Sequence, residues 1–124
     1  RSRFSNPSFR VIVQTHCVIS VDPDRVRKLI HERQAVVLDV RTEQEVGRGM
    51  IAGAQHIPLQ QLPDRMDELD RSRPLVIYCQ SGARSMLAGN YLVGANWQEV
   101  YNLTGGIGAW LAAGLTLIQP QSHG

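Results

Sequence analysis

Two stretches of this chain, Ala35-Val36-Val37-Leu38-Asp39-Val40 and Leu75-Val76-Ile77-Tyr78-Cys79, are apolar without alternation. A strand with one solvated face alternates apolar and polar residues, so runs like these need cover on both faces. The segments between them read as helices that could supply it. Asp22-Pro23 has the form of an N-cap and a first helical residue, and Val26, Leu29 and Ile30 follow at helical spacing, predicting a helix over 22–33. Thr42-x-x-Glu45 is a capping-box pattern that opens a short helix. Leu59, Leu62, Met66 and Leu69 predict an amphipathic helix, with Pro63 confined to its first turn. A further helix is expected over 83–93, with Leu87, Tyr91 and Leu92 facing inward and Gly94 as its cap. Gly105-Gly106 turns into a last short helix carrying Trp110 and Leu111, closed by Gly114. With strands also expected at 18–20, 54–58 and 100–103, the alternation predicts an α/β fold. Its sheet is mainly parallel, of about five strands, with helices on both faces.

The 124 residues are one domain's worth. Residues 1–15 read as a flexible N-terminal extension or expression remnant, 16–118 as the domain and 119–124 as a flexible tail. Thirteen Lys and Arg against eleven Asp and Glu give a net charge of +2, and the arginines are scattered, which argues against nucleic acid as a partner. No apolar run approaches the roughly 18 residues that span a bilayer. Two cysteines make no disulfide framework. His16, His31, His56 and His123 lack ligand spacing, so no metal is expected. The expectation is a soluble, cytoplasmic monomer.

Chemistry is expected beyond the carboxyl ends of the strands, where Cys79 ends the most hydrophobic run. Gln80-Ser81-Gly82-Ala83-Arg84-Ser85 follows, then a helix. Small residues let this loop curl its N–H groups inward as an anion nest, and the helix start adds partial positive charge. A thiol there is expected to be ionised near neutral pH and open to alkylating reagents. Arg84 is expected to close the cradle with its guanidinium. The alternative reading, a plain buried core cysteine, is weakened by the company of loop, Arg and helix.

Over 18–117 the chain resembles the single-domain rhodaneses, a sulfurtransferase family. The resemblance is carried by Val36-Val37-Leu38-Asp39-Val40-Arg41 with Glu45, by Gly49-Met50-Ile51-Ala52-Gly53-Ala54-Gln55-His56-Ile57-Pro58-Leu59, by Leu75 through Ser85, and by Val100-Tyr101-Asn102-Leu103 with Gly105-Gly106-Ile107 and Ala109-Trp110. It implies that Cys79 is the nucleophile. Cys79 would take a sulfane sulfur from thiosulfate, or from a small-thiol or protein persulfide, and pass it to cyanide, a thiol or a partner protein such as a sulfur carrier. Gln80, Ser81, Gly82, Ala83, Arg84 and Ser85 would hold the outer sulfur, and no metal or organic cofactor is implied. Asp39, Arg41 and Glu45 are expected to be structural supports, an Asp at a strand end and an Arg–Glu pair.

Two departures stand out. Gln80 occupies a position where the family often has Arg, which removes a cation and favours a persulfide donor over dianionic thiosulfate. Met50 replaces a frequent His and reads as local packing. Two other functions stay open: a non-catalytic rhodanese-like binding or regulatory module, and a cysteine-dependent phosphatase or arsenate reductase. Against the phosphatase, Cys79 to Arg84 is C-x4-R, one residue shorter than the C-x5-R cradle of tyrosine phosphatases. Cys17 is expected to be a half-buried structural residue rather than a resolving thiol. His56 is expected to hydrogen-bond locally, and Tyr101 and Trp110 to be core. Arg25, Arg27 and Lys28 read as a solvated helix face.

Overall fold

The structure, a computed structural model, describes residues 17–120. The expected N-terminal extension at 1–15, and residues 121–124 of the expected tail, lie outside the described residues. The strands are β1 (Val18–Val21), β2 (Val36–Asp39), β3 (Gln55–His56), β4 (Leu75–Tyr78) and β5 (Val100–Leu103). They form one sheet in the order β1-β5-β4-β2-β3. Every pairing is parallel, with Leu38 beside Ile77 and Ile77 beside Asn102. The helices are α1 (Pro23–Arg33), α2 (Glu43–Val46), α3 (Leu62–Arg65), α4 (Ala83–Gly94) and α5 (Gly106–Ala112).

The unbroken apolar runs divide by parity. Val36, Leu38, Leu75, Ile77, Cys79 and Val100 pack on one face with Leu62 of α3 and with Ala88 and Leu92 of α4. Val37, Val76, Tyr78, Tyr101 and Leu103 pack on the other with Val26 and Leu29 of α1 and with Ile107 and Trp110 of α5. Both faces are dry, as the lack of alternation requires. The caps also form as the residue types dictate. Asp22 accepts the Arg25 N–H at 2.8 Å, and Thr42 and Glu45 make the reciprocal capping box.

Four expectations need correction. The strand expected over 54–58 pairs only at Gln55–His56. The amphipathic stretch is not one helix: α3 is flanked by 3-10 turns at Leu59–Gln61 and Met66–Glu68. Pro63 has no N–H for the Leu59 carbonyl, so an α-helix begun at Leu59 cannot run through it, and Pro63 sits instead in the first turn of α3. On α4, Leu92 is fully buried, but Leu87 is 62% and Tyr91 43% exposed. Ser85, Ala88, Gly89 and Leu92 form the inner face, because the backbone at Gly89 runs too close to Val18 for a larger residue. Gly94 is the last residue of α4 rather than its cap, and the left-handed backbone after it falls at Asn96, with φ of 73°. Leu111 of α5 is likewise exposed, while Trp110 is buried.

Candidate active site

Parity and register place Cys79. It follows β4 at the carboxyl edge of the sheet, on the same face as Leu75 and Ile77 and therefore against α4. Its Sγ accepts the Gly82 N–H at 3.0 Å and lies 3.4 Å from the Ser85 hydroxyl. Burial pushes the thiol pKa up, but donors from the Ser85 hydroxyl and the Ser85, Gly82 and Ser81 amides outweigh it and bring the thiol below its ordinary value. The expected direction of the shift is present. The expected openness is not: Cys79 is only 1% exposed. Its inward position on the covered face of the sheet leaves it almost no exposed surface.

The shape of the loop is set from the far side of the sheet edge. The Cys79 carbonyl accepts the Ile107 N–H at 3.0 Å, and the Gln80 carbonyl lies 3.5 Å from the Gly108 N–H. Both carbonyls are thus turned away from Sγ toward the start of α5. This close approach explains the glycine pair, since a Cβ on Gly106 would stand 2.3 Å from the Cys79 oxygen. Gly82, at φ +108°, makes the turn into α4 and carries no capping side chain. The first N–H groups of α4 have no intrahelical acceptor, and they border the space around Sγ.

The supporting residues pair differently from the expected arrangement. Arg84 does not turn its guanidinium into the cradle; it forms a two-point ion pair with Glu45 at 2.7 and 2.8 Å. Hydrogen bonding to Arg84 holds the Glu45 carboxyl down at about 2. The Arg–Glu pair is therefore Arg84–Glu45. Arg41, buried, instead grips Asp39 with Nε and Nη2 and reaches the Gly49 carbonyl at 2.7 Å. Asp39 also accepts the Arg41 backbone N–H at 2.9 Å, so the end of β2 and the Gly49 turn are locked together. His56 meets the Arg41 carbonyl at 2.7 Å, the local bond expected of it. Met50 is buried and exchanges backbone hydrogen bonds with Ile118.

Beside the loop lies a cleft of about 370 Å³ lined by Arg41, Glu45, Arg48, Gly49, Gln80 and Ile107, with Leu111 and Leu117 at its apolar end. Gln80, which lines it, and the next residue of the loop, Ser81, are exposed. Cys17 is exposed rather than half-buried, because it precedes β1 at the amino edge of the sheet, opposite Cys79. Among the described residues no three His, Cys, Asp or Glu side chains converge as metal ligands, and no helix is long and apolar enough to cross a membrane. One residue at this site escaped notice in the sequence. Asn102 of β5, buried, accepts from the Ser85 hydroxyl at 2.5 Å and donates Nδ2–H to the Gly82 carbonyl at 3.2 Å. Its only sequence signal is an Asn inside an otherwise apolar strand.

Residues 22–113 match the rhodanese-like domain model. A protein named sulfurtransferase from Allochromatium vinosum is 39% identical over 105 residues, covering 84% of this chain and 98% of that one. The thiosulfate sulfurtransferase GlpE of Ectopseudomonas mendocina is 35% identical over 92 residues, covering 74% of this chain and 84% of its own. A solved rhodanese-like domain protein from Staphylococcus aureus superposes with a TM-score of 0.72 at 30% identity, over 84% of this chain and all of that one. A parallel five-stranded sheet in this order, a cysteine loop at its carboxyl edge and relatives matched nearly end to end agree with one another: the chain belongs to the rhodanese-like domain family.

Proposed function

We propose that the chain is a sulfurtransferase working through a persulfide on Cys79. The observation that carries the reading is the set of donors around Sγ: the amides of Ser81, Gly82 and Ser85 and the Ser85 hydroxyl, which lower the thiol pKa against the effect of burial. The thiolate attacks the sulfane sulfur of a donor, and the donor's remainder leaves with the bonding electron pair. The outer sulfur then sits among the N–H groups of residues 80–85, which stabilise its charge. An acceptor nucleophile removes it, and Sγ returns to thiolate. Nothing in this sequence of steps needs a metal or organic cofactor.

The donor class is a persulfide of a small thiol or of a protein. Gln80 is uncharged and the guanidinium of Arg84 is committed to Glu45, so the loop itself offers no free cation to a dianion such as thiosulfate, and Arg48 in the adjoining cleft is left to meet a charge on the thiol that carries the sulfur. The cleft beside Gln80 has room for the thiol that carries the sulfur, with Ile107, Leu111 and Leu117 against its stem. The names of the relatives support sulfur transfer as the reaction class.

The test is intact mass after incubation with a glutathione persulfide or with thiosulfate. The expected result is a gain of one sulfur atom that cyanide or excess thiol removes, faster with the persulfide, and absent in Cys79→Ser. No adduct on the wild type, or an equal adduct on Cys79→Ser, overturns the reading. Because the thiolate is the reactive form and its pKa is lowered, the rate should climb with pH and level off at a lower pH than in the Ser85→Ala variant, which lacks one of the donors.

A further inference from the structure

Ser85 has one hydroxyl hydrogen and three acceptors within reach. Asn102 Oδ1 lies at 2.5 Å, the Gly82 carbonyl at 3.1 Å and Cys79 Sγ at 3.4 Å. The Gly82 carbonyl is already served, since it accepts the Met86 N–H at 3.2 Å and Asn102 Nδ2 at 3.2 Å. Two donors fill its two lone pairs and keep the Ser85 hydrogen from settling there. A carbonyl can only accept, so the Asn102 atom facing it is the NH2 group. That fixes Oδ1 toward Ser85. Asn102 is 4% exposed, on a strand whose neighbours Val100 and Leu103 are core, and burying an amide there costs free energy unless its bonds are made. Every bond recorded for its side chain goes to the cysteine loop or to Ser85.

We propose that Asn102 is a positioning residue for sulfur transfer, holding Gly82 and Ser85 so that the single Ser85 hydrogen alternates between Asn102 Oδ1 and Cys79 Sγ. The inference rests on Cys79 being the nucleophile. When Sγ is a thiolate, the hydrogen turns to it. When Sγ attacks, a bond forms to the sulfane sulfur, the donor's bond to that sulfur breaks, and the electron pair leaves with the donor. Sγ is then neutral and the hydrogen returns to Oδ1. When the acceptor's lone pair bonds the outer sulfur, the Sγ–S bond breaks and its pair comes back to Sγ, where the Ser85 hydrogen meets the charge. The acceptor ends bound to the sulfur that the donor lost, and Cys79 ends as it began, so no outside oxidant or reductant enters.

The charged groups of the loop and of the cleft beside it are Arg84, ion-paired to Glu45, the Asp39–Arg41 pair at the end of β2, and Arg48. The test leaves all of them in place. In a Cys17→Ser background, the rate of Cys79 alkylation by iodoacetamide is followed against pH by intact mass, alongside persulfide formation and discharge. Asn102→Leu frees the Gly82 carbonyl to capture the Ser85 hydrogen, and should raise the alkylation midpoint by roughly one pH unit, a tenfold loss of thiolate at a fixed pH below it. Ser85→Ala should do about the same, and the double variant no more than Ser85→Ala alone. Asn102→Asp, of nearly equal volume, covers the case in which the leucine variant does not fold. It should shift the midpoint further, because the carboxylate keeps the hydrogen and adds a negative charge. A wild-type midpoint in the Asn102 variants, or shifts that add in the double variant, overturns the proposal. Shifted midpoints in a protein that never forms a persulfide would instead uphold the link from Asn102 to Cys79 and overturn the sulfurtransferase reading.

Discussion

Glu45 sits between two jobs at the scale of a single residue. Its carboxylate closes the capping box of α2 through the Thr42 N–H, and it takes both Nη atoms of Arg84 from α4. Glu45→Gln keeps an oxygen for the cap and removes the charge that Arg84 holds, so it isolates the ion pair. The folded-state pKa of Glu45 is depressed to about 2 from 4.5, so its contribution to stability is present above the unfolded value and fades as pH falls toward the folded one. With Arg84 about one-third exposed, solvent screening reduces the effect. Glu45→Gln should be less stable than the wild type by roughly 1–2 kcal/mol at pH 7, with urea midpoints of the two converging between about pH 4 and 2. A deficit independent of pH would mean that the cap, and not the charge, was lost. The same residues mark a limit of sequence reading. Asp39, Arg41, Glu45 and Arg84 all stand out as charges near apolar strands, but which acid takes which base depends on backbone paths that only the fold supplies.

At the scale of elements, α4 makes the clearest case. Helical spacing alone made Leu87, Tyr91 and Leu92 look equivalent, yet only Leu92 enters the core. The deciding fact is the near approach of β1 to Gly89, a contact between segments about 70 residues apart in the chain that no local pattern encodes. Leu92→Ala should cost about 2–4 kcal/mol, since it leaves a cavity under the helix. Leu87→Gln and Tyr91→Gln should each stay within about 0.5 kcal/mol of the wild type in urea unfolding. A large cost at Leu87 would show that this exposed side chain is packed against something after all. The two central apolar strands, by contrast, were legible to within a residue at each end, because an apolar run without alternation leaves a chain few options, whereas the strand expected over 54–58 pairs only at Gln55–His56. So was the capping box, whose chemistry is complete within four residues. The amphipathic stretch around Pro63 shows the intermediate case: Leu62 and Leu69 are buried and Leu59 and Met66 half-buried on the expected side, but the missing amide of proline broke the helix that periodicity drew through it.

For the whole molecule, one sheet separates two cores, and each holds one tryptophan: Trp97 on the side of α4, Trp110 on the side of α5. The three central strands, β2, β4 and β5, contribute side chains to both, so the two cores are expected to unfold together. Trp97→Phe and Trp110→Phe leave fluorescence reporters on opposite faces. In each variant, urea unfolding followed by fluorescence and by circular dichroism should coincide as a single transition. A fluorescence midpoint displaced from the dichroism in either variant would mean that one layer comes away by itself. The site is assembled on the same plan. Its parts come from the ends of β2, β4 and β5 and the starts of α4 and α5, so Cys79 and its loop could be read as a contiguous motif, while Asn102 could not.

The turn of Gly106 against the Cys79 carbonyl has a consequence for biosynthesis. A ribosome delivers the thiol well before it delivers the residues that fold its loop, since Asn102, Ile107 and Gly108 are made later. Until they emerge, the nascent polypeptide carries only a commonplace cysteine. The enhanced acidity of the thiol is thereby acquired only after translation has passed the last helix, and a product terminated before it would carry a thiol of ordinary acidity.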